Sequence, residues 1–122
     1  MTNLVQNLDI VIVRVTDIDA ARAFYGEALG LKLLGEGPGF FSVAPVDGVG
    51  ATLGVGVAPD GGSVTPIQTG IWWKVDDTDA LYAALVARGV RITEEPSDKP
   101  FGRAVSFADP TGNILNAYQA RD

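Results

Sequence analysis

An α+β fold made of two tandem βαβββ modules is the architecture this sequence predicts, on three observations. The stretch VTDIDA (Val15–Ala20) returns almost unchanged as VDDTDA (Val75–Ala80), 60 positions later. Each copy follows an apolar run of period two and leads into a segment of helical spacing that stops at a glycine. Beyond each glycine come three more strand-like runs, set apart by turn residues.

The elements can be justified in order. In LDIVIVRV, β-branched residues alternate, with Val11, Val13 and Val15 on one face and Ile10, Ile12 and Arg14 on the other. Asp17 stands where an N-cap belongs, and Asp19 in the first turn, where a carboxylate complements the helix dipole. Ile18, Ala21, Phe24, Tyr25 and Ala28 keep helical spacing until Gly30 ends the helix. LKLL, FFSVA and GATLGVGV read as the next three strands. In the second copy GIWWKV is the strand and Asp77 the cap, with Asp79 behind it. Leu81, Ala84 and Leu85 form the buried stripe, and Gly89 is the stop. VRITEE, AVSFA and NILNAYQ complete the copy, the last two joined by the turn DPTGN. The modules are thus expected to run from about 5 to 57 and about 67 to 120, joined by the Gly- and Pro-rich linker Ala58–Pro66.

Neither module can bury enough surface to stand alone. Paired, they are expected to form one curved mixed sheet, with helices on the outer face and a concave trough on the other. Alternation sends Val11, Val13, Val15, Leu53, Val55, Ile71, Trp73, Val75, Leu115 and Ala117 under the helices. The trough receives Ile10, Ile12, Arg14, Thr52, Gly54, Gly70, Trp72, Lys74, Ile114, Asn116 and Tyr118, together with Gly50 and Gly56. Glycines in a row on one face either leave room for a ligand or serve sheet curvature. Trp72 is a natural platform for a flat ligand.

Composition limits the functions available. With 122 residues, 47% hydrophobic and 20% charged, the chain is one globular domain. A net charge of −6 speaks against nucleic acid or an anionic membrane as partner. There is no cysteine, hence no disulfide and no thiolate metal site. Asp9 and Arg14 interrupt the only apolar run near the N-terminus, so no signal peptide is read and a cytoplasmic protein is expected. The chain also has no histidine, which removes the commonest metal ligand and the commonest general base. Of the carboxylates, Asp17, Asp19, Asp77 and Asp79 belong to helix starts, while Glu27, Glu94 and Glu95 are expected in solvent.

The stretches VTDIDAARAFYGEALGLKLL and KPFGRAVSFADPTGNILNAYQ, with the pair FYGEALGL and FADPTGN, resemble the vicinal oxygen chelate superfamily. That group includes glyoxalase I, extradiol dioxygenases and the fosfomycin- and bleomycin-resistance proteins. The resemblance covers essentially the whole chain and implies the fold already read from the repeat. It also implies a divalent metal in the trough of enzymatic members, held by His, Glu or Gln. At the corresponding positions this chain has Ile10, Gly70, Asn116 and the segment Thr52–Gly54. A divalent ion needs anionic or imidazole ligands converging on one point. These positions offer none, so no metal and no cofactor is expected.

Three functions remain open at this stage. The first is a binding module: a metal-free homodimer that sequesters an aromatic compound or antibiotic, as bleomycin-resistance proteins do, through Ile10, Ile12, Arg14, Thr52, Gly54, Gly70, Trp72, Asn116 and Tyr118. The second is a lyase, isomerase or dioxygenase with non-standard site residues; no catalytic residue can be named, although Tyr118 could donate a proton. The third is a regulatory or structural subunit whose trough is filled by a partner's side chains.

Overall fold

The computed structural model describes residues 4–5, 7–46, 50–58 and 61–121, so Pro59 and Asp60 of the expected linker lie outside the described residues. Module one consists of β1 (Ile10–Arg14), α1 (Ile18–Arg22) running on as a π-helical turn over Ala23–Ala28, β2 (Lys32–Gly37), β3 (Phe40–Ala44) and β4 (Thr52–Gly56). Module two repeats the order with β5 (Gln68–Lys74), α2 (Thr78–Ala87), β6 (Arg91–Lys99), β7 (Gly102–Ala108) and β8 (Ile114–Ala120).

The local signals act as the sequence suggests. The Asp17 carboxylate accepts the N–H groups of Asp19 and Ala20 at 3.1 Å each, and Asp77 accepts that of Ala80 at 3.0 Å. Both caps thereby satisfy donors that the first helical turn leaves open. Gly30 and Gly89 take φ of +72° and +76°, the left-handed conformation that ends a helix without a Cβ penalty. In the π-helical turn the Leu29 N–H donates to the Phe24 carbonyl, five residues back. This wider turn carries the consecutive residues Phe24 and Tyr25 into the core together.

Strand order is β1-β4-β3-β2 in one sheet and β5-β8-β7-β6 in the other, with the β1–β4 and β5–β8 pairs parallel and the remainder antiparallel. The α+β architecture with two βαβββ modules is therefore present. Its strands form two four-stranded mixed sheets, one per module, where a single continuous sheet was expected. A single hydrophobic cluster serves both. Val13, Val15, Tyr25, Phe41, Leu53 and Val55 of module one pack in it with Leu85, Val105, Phe107, Leu115 and Ala117 of module two.

The turn between β7 and β8 ties the modules. Tyr25 Oη donates to Asp109 Oδ2 at 2.7 Å, Asn113 Nδ2 to the Arg14 carbonyl at 2.8 Å, and the Thr16 N–H to Thr111 Oγ1 at 2.9 Å. Asn113 Oδ1 accepts the Ile67 N–H, and Arg88 reaches the Ala28 carbonyl at 2.7 Å.

Three details correct the expectation. Val11 has core parity but is 36% exposed, because it lies near the free start of β1. Gly50 precedes β4 and lines no strand face. β6 does not stop at Glu95 but continues through Pro96 to Lys99, with its register against β7 shifting between Glu94 and Ser97. Proline is tolerated there because β6 is an edge strand.

Candidate functional site

Both sheets turn one face to the shared core, so the faces assigned to the trough point away from it. On the first, β1 contributes Ile10 and Ile12, exposed at 39% and 45%, beside Arg14. The paired positions Thr52, Gly54 and Gly56 of β4 lie on the same face. Arg14 Nη1 donates to the Val57 carbonyl at 3.1 Å, which lays the guanidinium along its own sheet. On the second face, Trp72 and Lys74 pair with Asn116 and Tyr118 in the β5–β8 ladder.

Alternation therefore separates Trp72 from Trp73 correctly. Trp73 is partly buried and packed on the core, and Trp72 is exposed. The two expected half-sites lie on two different sheets, each on the face turned away from the shared core. No hydrogen bond, strand ladder or ring contact among the described residues joins Ile10, Ile12, Thr52 or Gly54 to Trp72, Asn116 or Tyr118.

The second face carries an aromatic cluster. Ring centroids lie 5.4 Å apart for Trp72–Phe101, 6.2 Å for Trp72–Tyr118 and 5.7 Å for Phe101–Tyr118, all three pairs edge-to-face. Such pairs gain from ring quadrupoles as well as from burial. Trp72 and Phe101 remain 46% and 48% exposed, so the cluster is a prominent apolar surface. Phe101 was missing from the sequence-derived list because it sits at the tip of the β6–β7 hairpin, outside any strand whose alternation could place it. Lys74 makes no ion pair among the described residues, whereas Glu94, which pairs with Ser106 and so lies in line with Asn116 on this face, is held by Lys99 at 2.6 Å. Its neighbours in sheet two are paired off. A hydrogen bond from Lys99, followed by its charge, lowers the pKa of Glu94, and hydrogen bonds to Asp98 and then Asp79 raise that of Arg103.

The positions at which the resemblance implies a metal do not fit one. Ile10 is aliphatic. Gly70, at φ +69°, lies where the β5–β8 register shifts, in a conformation that a ligating side chain would strain. Asn116 is 5% exposed and its amide is engaged on both sides: Oδ1 accepts from Ser106 Oγ at 2.7 Å, and Nδ2 donates to the Ile71 carbonyl at 3.1 Å. Gly54 is covered by Phe40, Ile10 and Ile12. Among the described residues no three Asp, Glu, His or Cys side chains converge.

A concavity of about 880 Å³ lies on neither face. It is an open groove between the π-helical turn, the end of α2 and the β7–β8 turn, floored by Ala20, Ala23 and Ala28. Its cations are Arg88, already engaged with Ala28, and Arg91. The chemistry available on the two sheet faces is stacking and apolar contact, with hydroxyls and cations at the margin. Among the described residues no helix is long and apolar enough to cross a membrane.

Comparison with known proteins finds the same fold. TnmS3, an antibiotic binding protein from Streptomyces sp. CB03234, superposes with a TM-score of 0.84 at 30% identity, over 98% of this chain and 100% of that one. A superfamily member from Sphaerobacter thermophilus DSM 20745 gives 0.82 at 28%, over 96% and 99%. The anthracycline biosynthesis protein DnrV from Streptomyces peucetius is 34% identical over 111 residues, which are 88% of this chain and 40% of DnrV. The chain thus spans well under half the length of that relative. The family model of the glyoxalase/bleomycin resistance protein/dioxygenase superfamily matches residues 7–116, and the chain belongs to that superfamily.

Proposed function

We propose that this protein binds and sequesters a flat aromatic small molecule, of the antibiotic class, without metal-dependent chemistry. The carrying observation is the Trp72–Phe101–Tyr118 cluster, exposed on a sheet face where the family's metal positions hold Gly70 and an internally bonded Asn116. The likeness to an antibiotic binding protein and to an anthracycline biosynthesis protein supports the choice of ligand. Ligand contacts are assigned to Trp72, Tyr118, Phe101, Ile10, Ile12 and Thr52, with Arg14 at the rim; Gly54, Gly70 and Asn116 shape the floor.

The two faces belong to one site only if a second copy supplies the missing half. A homodimer that sets module one of one subunit over module two of its partner covers both apolar faces and makes two equivalent clefts. Titration of the purified protein with an anthraquinone, followed by tryptophan quenching and thermal shift, tests the reading. Quenching is expected, with elemental analysis finding no stoichiometric divalent metal. Trp72→Ala should lose on the order of 1–3 kcal/mol of stacking. Trp73→Ala should instead lower stability by roughly 3 kcal/mol. Metal at one per chain, or binding indifferent to Trp72, overturns the proposal.

A second reading, catalysis on such a compound, is favoured by the relative named for biosynthesis. Turnover of an anthracycline-type substrate by the metal-free protein, seen by mass spectrometry, would select it.

A further inference from the structure

The glycines of β4 are neither vacant ligand space nor simple curvature devices. A Cβ built on Gly54 would stand 3.0 Å from Phe40 Cζ, and one on Gly56 would stand 3.0 Å from Phe40 Cδ1. One phenyl ring therefore occupies the space that two successive same-face side chains would have taken. A contact of 3.0 Å is tighter than nine in ten real Cβ contacts, so a side chain at either position would push the ring aside, and the two glycines leave it room to lie down. Ile10 Cδ1 and Ile12 Cγ1 fence the ring at the Gly54 end, at 3.0 and 3.1 Å from that Cβ, and Arg14 Nη1 at the Gly56 end at 3.3 Å.

Phe40 pairs with Gly37 on its other side and Ser42 with Gly35, which puts these four residues on the same face. A Cβ on Gly37 would meet nothing within 4 Å, and one on Gly35 only Ser42 Oγ at 3.7 Å. Beyond the ring the face continues as bare backbone to the edge of the sheet. Ring and bare strip together span the two strand spacings from β4 to β2, roughly 10 Å.

We infer that Phe40, with the bare strip over Gly35 and Gly37, is a stacking shelf that selects planar, fused-ring aromatic ligands over single rings. The inference rests on the proposed function and extends it, because it adds a binding residue on module one and sets the length of the ligand. A reclining ring offers its face to a stacked partner, and the ring with its strip, about 10 Å long, accepts two or three fused rings edge to edge. The Ser42 hydroxyl, which makes no hydrogen bond among the described residues, lies along the strip and suits a quinone or phenol oxygen.

The test compares an anthraquinone with a single-ring phenol as probes of the wild-type protein and of Phe40→Leu, Phe40→Tyr and Gly37→Val. Gly37→Val is chosen because open space and strand geometry accept the side chain, while the strip is blocked. Tryptophan quenching gives affinity, a thermal melt reports folding, and light scattering reports subunit association. Wild type should prefer the anthraquinone. Phe40→Leu and Gly37→Val should each weaken it roughly 5- to 100-fold, with the melt retained and Phe40→Tyr restoring affinity. Unchanged anthraquinone affinity in both Phe40→Leu and Gly37→Val overturns the shelf while leaving the proposed function standing. Dissociation of the subunits with affinity intact assigns the shelf to a second copy and also overturns it. No binding by the wild type removes the proposed function and the shelf together.

Discussion

Asp109 is 4% exposed and accepts five hydrogen bonds, from the N–H groups of Thr111, Gly112 and Asn113, from Asn113 Nδ2 and from Tyr25 Oη. Five bonds to one carboxyl group offset the cost of taking it out of water. Its partner responds the other way: burial, and after it the Asp109 charge, push the Tyr25 phenol far above the ordinary tyrosine range. A raised native pKa gives stability that is complete below the unfolded value, near 10, and is lost as pH climbs beyond it. Above about pH 10 the contribution of Tyr25 should fall by about 1.4 kcal/mol per pH unit. Urea melts of wild type and Tyr25→Phe should therefore converge as pH rises from 9 to 11, and a constant gap would refute the assignment. The turn DPTGN was legible as a turn because proline and glycine act locally. That its aspartate reaches a tyrosine 84 residues away was not, since no local pattern encodes such a contact.

At the scale of elements, helices and strands announced themselves where one physical signal dominated. Asp17 and Asp77, with Gly30 and Gly89, bracket their helices, and alternation placed Trp73 inward and Trp72 outward. The hairpin β6–β7 was read short because PSDKP looks like a breaker, yet at a sheet edge a proline breaks no ladder that matters. That misreading hid Phe101. The hairpin tip depends on Gly102, where a Cβ would run into the Gln119 carbonyl oxygen and crowd Ala120 Cα. Gly102→Ala should destabilise the protein by roughly 1–3 kcal/mol, the range for overpacking a tight contact. It should also shift the emission of Trp72 as Phe101 moves; a melt and spectrum matching wild type would contradict the close approach. Phe40 escaped notice for a different reason. FFSVA fixes which phenylalanine faces the core, but not that the other would lie across two glycines on a neighbouring strand.

The whole molecule was legible from its repeat, because duplication of a strand–helix–strand order leaves few ways to share a core. What the repeat did not reveal is that the trough residues are divided between two sheets that share one core. Alternation says which side of a sheet a residue takes, and nothing about how two sheets are set against one another. The exposed Ile10 and Ile12 lie on one face and Trp72 and Phe101 on the other, and apolar side chains gathered on a sheet face mark an interaction surface. Sedimentation at micromolar concentration should give a dimer, and Trp72→Glu, which places charge on the face the dimer covers, should shift it toward monomer. A wild-type protein that sediments as a monomer would leave each face to act alone.

The bonds that fasten Tyr25 to Asp109 and Arg14 to Asn113 join positions 84 and 99 apart in the chain. Closing loops of that size comes late in folding, since the entropy of closure must be overcome before the contact rewards it. Each half therefore waits for the other: Tyr25 has no acceptor until the β7–β8 turn exists, and Asn113 has no carbonyl until β1 is in place. Synthesis delivers the first half well before its mate. The nascent amino-terminal module must keep its apolar faces out of trouble until residue 113 has emerged, and any helper in the cell has that interval in which to act.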